Sequence, residues 1–318
     1  MIDSFGRKIN YARIAVTDLC NLRCVYCMPE EGIEKKQCVE ILRIEEILII
    51  AEALTELGID KIRLTGGEPL VRHGFLTLVE KIGSMEGIRD LAVTTNGVLL
   101  PELGQQLLDA GLKRVNISLD TFDRDKYTKI TRGGDVNRVL HGIETALSLG
   151  FEQVKINVVL MEGFNDDEIK AFTSLTIDQP LDVRFIEIMP FEGQHAFAEG
   201  RFLPATAVLH RCPELKPVTS EDPSAPAKYY QFPGAKGRVG LIEPLSHGFC
   251  SSCNRLRITA DGHLLTCLHC REEKDLRPYL GDKEMLKQVI KKEIDRKPGT
   301  HRIGDGPLME RDMGKIGG

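Results

Sequence analysis

The sequence of 318 residues lacks three features that would each suggest a different class of protein. It has no excess of positive charge: 42 basic and 47 acidic residues give a net charge of −5, which argues against nonspecific binding to nucleic acid. It has no apolar run near the roughly 18 residues that a membrane span needs. It has no apolar leader at its N-terminus, so we expect a cytoplasmic protein. Its cysteines number nine, and this odd count favours metal or redox chemistry in a reducing compartment over disulfide bonds.

Short strand-like runs alternate with helical patterns up to about residue 190. We predict strands at 11–16, 61–65, 91–95, 114–120, 154–160 and 182–189, and helices at 44–57, 75–85, 102–110, 136–149 and 166–175. This alternation is typical of a parallel α/β sheet or barrel. The six units predict an incomplete (βα)₆ barrel, and a doubly wound open sheet is the alternative.

The predicted strands have one polar face. In the strand at 114–120, for example, Val115 and Ile117 alternate with Asn116 and Ser118. A parallel strand that is buried in apolar surroundings on both faces reads as a nearly continuous apolar run. A solvated face would also give this alternation, but a parallel βα sheet seldom leaves one face bare. We therefore expect a polar barrel lumen that binds a charged molecule.

The alternation of strands and helices changes after Pro190. Residues 211–237 are rich in proline, glycine, serine and charged residues. Turn residues at 233–237 separate two strand-like runs, 228–232 and 238–242, and this pattern predicts a hairpin. A second group of cysteines and a helical stretch at 283–295 follow. We therefore divide the chain into a partial barrel at 1–200 and a C-terminal region at 201–318 that closes the barrel.

Three cysteines stand close together directly after the first predicted strand. Cys20, Cys24 and Cys27 have the spacing C-x3-C-x2-C, which suits three corners of a [4Fe–4S] cluster and leaves the fourth iron open to a ligand. A zinc site usually has four protein ligands, and no fourth is evident in this loop. The loop resembles that of the radical S-adenosylmethionine (SAM) superfamily. The sequence GGEP at 66–69, directly after the second predicted strand, is similar to a second motif of that superfamily.

The second cysteine group lies near the C-terminus and permits two interpretations. Cys250, Cys253, Cys267 and Cys270 form a CxxC…CxxC pattern that is typical of structural zinc, although the middle spacing is somewhat short. The run Asn-Arg-Leu-Arg at 254–257, however, places two arginines directly after the second thiol. Guanidinium groups suit a phosphate or a purine better than they suit a scaffold, so a ligand-binding site is the other interpretation.

Taken together, these motifs resemble the molybdenum-cofactor GTP 3′,8-cyclase family within the radical SAM superfamily. The resemblance also includes TTNG at 94–97, the polar strand at 116–120, RFIE at 184–187 with Met189, and the terminal Gly-Gly. It covers nearly the whole chain in order. It implies an incomplete triose-phosphate-isomerase-type barrel with two [4Fe–4S] clusters that face each other across the lumen. The first cluster would cleave SAM, and the open iron of the second would hold the purine of GTP.

The resemblance implies roles for individual residues. The implied ligands are Cys20, Cys24 and Cys27 for the first cluster and Cys250, Cys253 and Cys267 for the second. Cys270 departs from the family pattern, and ligation by Cys270 would block the open iron. The implied SAM contacts are Tyr26, Gly67, Ser118 and Met189. The implied GTP contacts are Arg13, Arg63, Thr94, Lys155 and the run Arg255, Leu256 and Arg257.

The implied reaction is a radical rearrangement of GTP to (8S)-3′,8-cyclo-7,8-dihydroguanosine 5′-triphosphate. The 5′-deoxyadenosyl radical would abstract the ribose 3′-hydrogen, and the C3′ radical would attack C8 of guanine. The implied partners are GTP, SAM, an external electron donor and a downstream enzyme that forms cyclic pyranopterin, with the protein a monomer or a homodimer. Two other functions stay open, namely a two-cluster radical SAM enzyme that modifies a peptide and a zinc- or cluster-bearing electron carrier.

The last five residues, 314–318, permit two interpretations. A frayed terminus is the default for any chain end. Ile316, however, offers an apolar anchor, and the glycines at 317 and 318 allow the backbone to pass where a side chain would clash. Because a lumen formed by six βα units has an open side, we predict that this tail enters it and supports the reaction.

Overall fold

Parallel strands alternate with helices in the N-terminal part of the protein. The computed structural model describes residues 1–28, 38–189, 197, 199–220, 222–270, 272–300 and 316. The strands are β1 (Tyr11–Ala15), β2 (Lys61–Thr65), β3 (Asp90–Thr95), β4 (Arg114–Ser118), β5 (Gln153–Leu160) and β6 (Leu181–Glu187). The helices are α1 (Ile44–Glu56), α2 (Phe75–Gly83), α3 (Leu100–Asp109), α4 (Arg124–Thr131), α5 (Val136–Leu149) and α6 (Ile169–Asp178). Every strand and helix predicted here is confirmed, with ends that differ by at most three residues, and α4 is an addition.

The six strands follow one another in the sheet in their chain order. Parallel pairing joins β1 to β2 and continues without interruption to β6. A doubly wound sheet reverses its strand order at a switch point, and no reversal occurs among these six barrel strands. The sheet is therefore the incomplete (βα)₆ barrel, and the doubly wound alternative is wrong.

The two faces of the barrel sheet differ in chemistry. On the outer face, Leu64, Val93 and Ile156 are fully buried and belong to the main hydrophobic core, which helices such as α1 complete. Each such side chain contributes about 1.5–3 kcal/mol on burial. On the inner face, Asn116 and Arg184 are almost as deeply buried but polar. The predicted polar lumen is therefore confirmed.

The C-terminal region extends both edges of the barrel sheet. Strand β9 (Arg238–Ile242) pairs in parallel with β6, and β10 (Arg255–Ile258) pairs in parallel with β1. The predicted hairpin is confirmed as β8 (Ala227–Gln231) with β9, and the predicted last helix as α8 (Lys283–Asp295). The remaining elements are α7 (Ala207–Arg211), β7 (Lys216–Val218), β11 (His263–Leu265) and β12 (Lys274–Asp275).

Short polar residues and glycine set the ends of several helices. The Asp123 side chain accepts hydrogen bonds from the backbone at the start of α4, and Asp282 accepts one from Met285 N at the start of α8. Gly150 ends α5 with a φ of 78°, a conformation that favours glycine. In the part of the chain that the structure describes, none of the helices combines the length and the apolar character needed to cross a lipid bilayer.

Candidate active site

A cavity of about 340 Å³ lies at the carboxyl ends of the barrel strands. The loops after β1, β2 and β3 line it, together with the ends of β4, β5 and β6. The C-terminal region contributes Phe249, Cys250, Cys253, Arg255, Arg257 and residues 266–269 to the same wall. Both cysteine groups and the polar strand face thus meet in one chamber.

The first cysteine group forms a tight turn after β1. Cys20, Cys24 and Cys27 all line the cavity, and Cys27 N donates to Cys24 O at 2.9 Å. Burial, followed by the neighbouring Cys27 thiol, raises the pKa of Cys24 well above its usual range. Bound iron would relieve this penalty because it binds the thiolate form. The turn therefore places three thiols, which are ligands of the kind that bind iron, at the cavity wall.

The first loop offers donors of the type that an iron–sulfur cluster binds. Cys20, Cys24 and Cys27 place three thiols on one short turn at the cavity wall, and three thiolates can hold a [4Fe–4S] cluster at three of its corners. In the described ranges, no three His, Cys, Asp or Glu side chains are arranged to hold one metal ion. The donors present in the first loop fit a [4Fe–4S] cluster.

The GGEP loop lies directly against the cysteine loop. Gly67 N donates to Thr17 O at 2.8 Å, and Glu68 N donates to Leu19 O at 2.7 Å. A Cβ atom on Gly67 would stand 2.3 Å from Leu19 O, so only glycine allows the two loops to approach this closely. The sequence GG is therefore a packing requirement that places the loop after β2 beside the cysteines.

The Glu68 carboxylate is buried and joins this loop to the one after β3. It accepts hydrogen bonds from Asn96 N at 2.7 Å, from Thr95 Oγ1 at 2.7 Å and from Leu70 N at 3.0 Å. Burial outweighs these bonds and raises the pKa of Glu68 to about 7. The carboxylate thus fixes the positions of two neighbouring segments at the cavity wall.

Tyr26 has a fixed orientation at the cavity. Its hydroxyl donates to Asp120 Oδ2 at 2.6 Å, and Val159 N donates to the other oxygen of Asp120 at 2.8 Å. Burial raises the pKa of Asp120 to about 6, although both hydrogen bonds oppose the shift. The aromatic ring beside Cys27 is therefore held by the ends of β4 and β5.

The second cysteine group lines the same cavity as the first. Cys250, Cys253 and Cys267 line the chamber, whereas Cys270 is not among the lining residues. Burial would raise the pKa of Cys253, but the charges of Arg255 and Lys297 outweigh it and lower the pKa. The three thiols that the family resemblance implies as ligands are therefore the three that reach the chamber.

Three arginines form a row across neighbouring strands. Arg13 on β1 stands in register with Arg63 on β2 and with Arg257 on β10. Burial, and then the charges of Arg257 and Arg63, lower the pKa of Arg13 well below its usual range. Burial also lowers the pKa of Arg63 and of Arg257 to about 10 each. Such crowding of like charges is unfavourable unless an anion binds among them.

The charge in the chamber is unbalanced. Among the described lining residues, six basic side chains stand against three carboxylates, Glu68, Asp120 and Glu187. Each of these carboxylates accepts backbone hydrogen bonds. Buried guanidinium nitrogens of Arg63, Arg184 and Arg255 have no hydrogen-bond partner within the described residues. A polyanion is the ligand that would satisfy them.

A second cavity of about 140 Å³ adjoins the first and shares Arg63, Arg184 and Arg255 with it. Lys155 lines this second cavity and donates to Tyr229 Oη at 3.1 Å. Burial, followed by the charge of Arg184, lowers the pKa of Lys155 to about 6. The basic surface therefore continues from the chamber towards the amino ends of the strands.

The structure brings nearly all of the predicted site residues into the main chamber. Lys155 lies in the adjoining cavity, and the Leu256 side chain is completely buried in the main core because it points to the other face of β10. Leu256 therefore lines neither cavity. The predicted residues that line the main chamber are Arg13, Cys20, Cys24, Tyr26, Cys27, Arg63, Gly67, Thr94, Ser118, Met189, Cys250, Cys253, Arg255, Arg257 and Cys267.

Two basic residues of the chamber were absent from the predicted site. Arg184 donates through Nη2 to Asn116 Oδ1 and Asn157 Oδ1, each at 2.6 Å. Its place on the polar face of β6 is the signal that could have identified it. Lys297 reaches the chamber from beyond α8, and no local pattern in the sequence predicts this.

The fold and the site together define a radical SAM protein by class, since a partial parallel barrel carries the three-cysteine loop after β1 and GGEP after β2. The sequence profile of the radical SAM superfamily matches residues 14–175, and that described as Molybdenum Cofactor Synthesis C matches residues 181–303. Membership of the superfamily implies SAM and a [4Fe–4S] cluster as cofactors. A solved structure of Streptococcus suis SuiB shares the fold, with a TM-score of 0.61 at 13% identity over 90% of this chain and 68% of that one.

Curated relatives cover the whole length of the chain. The GTP 3′,8-cyclase of Peptoclostridium acidaminophilum is 51% identical over 100% of this chain and 98% of its own length. The GTP 3′,8-cyclase of Alkaliphilus oremlandii is 50% identical over 100% of both chains. The chain therefore belongs to the GTP 3′,8-cyclase family of radical SAM proteins.

Proposed function

We propose that this protein is an enzyme that converts GTP to (8S)-3′,8-cyclo-7,8-dihydroguanosine 5′-triphosphate, an early step of molybdenum cofactor biosynthesis. The observation that carries the proposal is the single chamber in which a three-cysteine loop, a GGEP loop and six basic side chains meet. An electron carrier has no use for a buried, unbalanced cation cluster. A triphosphate is the kind of ligand that such a cluster fits.

The two cysteine groups would hold two clusters. Cys20, Cys24 and Cys27 would bind the first, and Cys250, Cys253 and Cys267 would bind the second, with Cys270 outside the ligand set. When bound, the first cluster supplies the electron for reductive cleavage of SAM to the 5′-deoxyadenosyl radical, which abstracts the 3′-hydrogen of GTP. The protein's own contribution is to bind, orient and enclose the two substrates.

SAM would occupy the part of the chamber beside the first cysteine loop. Tyr26 is fixed by Asp120 and can stack on an adenine without reorientation, and Gly67 exposes backbone where a side chain would clash. Ser118 at the end of β4 and Met189 after β6 complete the set. Because these groups are already positioned, little ordering entropy is lost when SAM binds.

GTP would span the region between the arginine row and the second cysteine group. The row formed by Arg13, Arg63 and Arg257, with Arg255, supplies charge-assisted hydrogen bonds to the phosphates. Lys155 extends this surface in the adjoining cavity, and Thr94 offers a polar contact in the main chamber. Catalysis is then mostly positioning, since a primary radical needs close approach and exclusion of water rather than a tuned acid or base.

The proposed cellular setting follows from the chemistry of the thiols. The cysteines of both site groups are free thiols, which suits a reducing cytoplasm. An external electron donor must reduce the first site, and a cyclic pyranopterin-forming enzyme would consume the product. We further propose a functional division into a radical SAM partial barrel at 1–200 and a cluster- and GTP-binding region at 201–318, in a monomer or homodimer.

Anaerobic reconstitution tests the function directly. The protein reconstituted with iron and sulfide should contain about eight iron atoms per chain, as two [4Fe–4S] clusters require. With SAM, GTP and a strong reductant, it should release 5′-deoxyadenosine together with the cyclic GTP product, as measured by chromatography. About four iron atoms with one zinc, or 5′-deoxyadenosine that forms without any GTP product, would contradict the proposal.

Arg255→Ala tests the assignment of the nucleotide side. The Arg255 guanidinium lies 4.7 Å from the centre of the Phe249 ring, with two buried nitrogens left for a ligand. A hydrogen bond to a charged group contributes about 1.5–3 kcal/mol, so turnover of GTP at limiting concentration should fall more than tenfold. Cleavage of SAM should remain measurable. Arg124→Ala, on the exposed first turn of α4, is the matched control. Equal GTP turnover in the two variants would show that Arg255 does not bind GTP.

A further inference from the structure

Lys297 is a buried cation that enters the second cysteine site from a distant part of the chain. It follows α8 by two residues, and only 2% of its surface is exposed. Its side chain lines the main chamber next to Cys253 and Cys267, which lie 44 and 30 positions earlier in the chain. A buried ammonium group is stable only where its charge and its protons find partners.

The ammonium group of Lys297 lies between two backbone carbonyls and the side chain of Cys253. It donates to Arg255 O at 3.0 Å and to Thr266 O, and the Cys253 side chain attracts it. An ammonium carries three protons, so one remains for the sulfur of Cys253. Arg255 O lies two residues beyond Cys253, and Thr266 O directly precedes Cys267. Lys297 therefore joins the two segments that carry these thiols.

The charge of Lys297 has its counterpart in the thiols. The two backbone carbonyls are neutral acceptors, and the opposite charges that act on the ammonium are those of Cys253 and Cys267 in their thiolate form. Arg7 acts on it as a like charge, and Arg7 is itself paired with Asp3 at 2.6 Å. The site thus places one positive charge against two cysteines that the proposed second cluster needs as ligands.

We infer that Lys297 is a positioning residue of the second cysteine site, which ties β10 to the Cys267 segment and stabilises the reduced state of a cluster held there. This inference rests on the proposed second cluster. The reduction potential of an iron–sulfur cluster depends on nearby charge and on hydrogen bonds to its sulfur ligands. A cation that donates to a ligand sulfur makes that potential less negative.

The test isolates the second site in the full-length chain. A parent in which Cys20, Cys24 and Cys27 are replaced by alanine is reconstituted with iron and sulfide, so that only the second group can hold a cluster. Lys297→Gln keeps two N–H donors but removes the charge, and Lys297→Met removes both. Lys291→Gln, at an exposed position on α8, is the matched control. The readouts are iron content, the rate of iron loss to a chelator and the midpoint potential from a redox titration followed by electron paramagnetic resonance.

We expect Lys297→Gln to hold its iron but to have a more negative midpoint potential than the parent and Lys291→Gln. Lys297→Met should in addition lose iron several-fold faster. A midpoint potential of Lys297→Gln equal to that of the parent overturns the inference. If Lys297→Gln holds no iron, Lys297→Arg decides, since a cluster retained by the arginine supports a role for the charge and its loss overturns it. A parent without iron contradicts the second cluster itself, and this role of Lys297 with it.

Discussion

Cys270 stands three positions beyond Cys267 and yet lies outside the lining of the chamber. Ligation by Cys270 would occupy the iron that the proposed second cluster leaves open for the purine. We therefore expect Cys270→Ser to keep both the iron content and the cyclisation activity of the parent. Cys267→Ser should lose about half of the iron, which is one cluster of two. Iron analysis and product chromatography measure both effects, and equal iron loss in the two serine variants would show that Cys270 is a ligand.

If Lys155 meets GTP as proposed, the binding of GTP should depend on pH. Its pKa of about 6 in the ligand-free protein means that the side chain is neutral at about pH 8. A bound phosphate favours the charged form, so GTP binding at about pH 8 should take up close to one proton, and the affinity should fall as the pH rises from about 6. Calorimetry in buffers of different ionisation enthalpy measures this uptake.

The matched variant for this pH effect is Lys155→Met, which keeps the length of the side chain without its charge. It should bind GTP more weakly and with most of the proton uptake abolished. Because protons that belong to GTP itself contribute equally to both proteins, the difference between them isolates Lys155. Identical proton uptake in the two proteins would mean that Lys155 does not meet the phosphates.

How far the sequence predicts single site residues depends on the pattern that carries them. Arg13, Arg63 and Lys155 alternate with apolar residues along strands, so their common face could be predicted. The same alternation places Leu256 between two arginines on the opposite, apolar face of β10, and it argues against a side-chain contact there. Lys297 follows a helix and reaches the site only through tertiary packing, so no pattern in the sequence around it predicts its role.

Helix α5 packs against the loop after β3 through two glycines. A Cβ atom on Gly142 would stand 2.1 Å from Gly97 O, and the residues just before Gly97, namely Thr94 and Thr95 at the end of β3 and Asn96, line the chamber. Gly142→Ala should therefore displace the helix or the loop and lower the free energy of unfolding by about 1–3 kcal/mol. Denaturant unfolding measures the change.

Gly281 is the control for this substitution. An added Cβ atom there meets nothing within 4 Å, so Gly281→Ala should change the free energy of unfolding by no more than about 0.5 kcal/mol. If Gly142→Ala unfolds at the same denaturant concentration as Gly281→Ala, the contact between α5 and the loop tolerates a methyl group, and the close approach of Gly142 to Gly97 is not a packing constraint.

Elements with a strong period were predictable, and short ones were not. The barrel strands alternate over five to eight residues and the helices between them carry an apolar face, so both could be predicted from the sequence. Helix α4 has a largely polar sequence, and β10 and β11 are only four and three residues long. Such short strands form because a neighbouring strand completes their hydrogen bonds. This pairing is non-local, so no local sequence pattern predicts it.

The chain folds back on itself so that its last described residue lies beside the chamber. Ile316 is completely buried and packs with Leu265, Leu268 and Met189, two of which line the cavity. The apolar anchor predicted for the tail is thus confirmed, while the predicted role of Gly317 and Gly318 falls outside the described residues.

Removal of the two terminal glycines tests the role of the tail. We expect a chain that ends at Ile316 to keep both clusters and its stability, because the anchor remains, but to form less of the cyclic product from GTP and SAM. Extra bulky residues after Gly318 should act in the same direction, since they would obstruct a slender terminus. Iron content by absorbance and product by chromatography separate an effect on the clusters from an effect on the reaction. An undiminished product yield from the shortened chain would support the interpretation of the tail as a frayed terminus.

The pairing of β9 with β6 and of β10 with β1 has a consequence for biosynthesis. A ribosome releases the six barrel strands long before residues 238–258, so the nascent chain exposes two unpaired sheet edges while synthesis continues. Exposed edges recruit strands from other chains, so we expect the nascent protein to be prone to association through these edges until β9 and β10 are made. We expect a translation product that stops short of β9 to aggregate rather than to act as a partial enzyme.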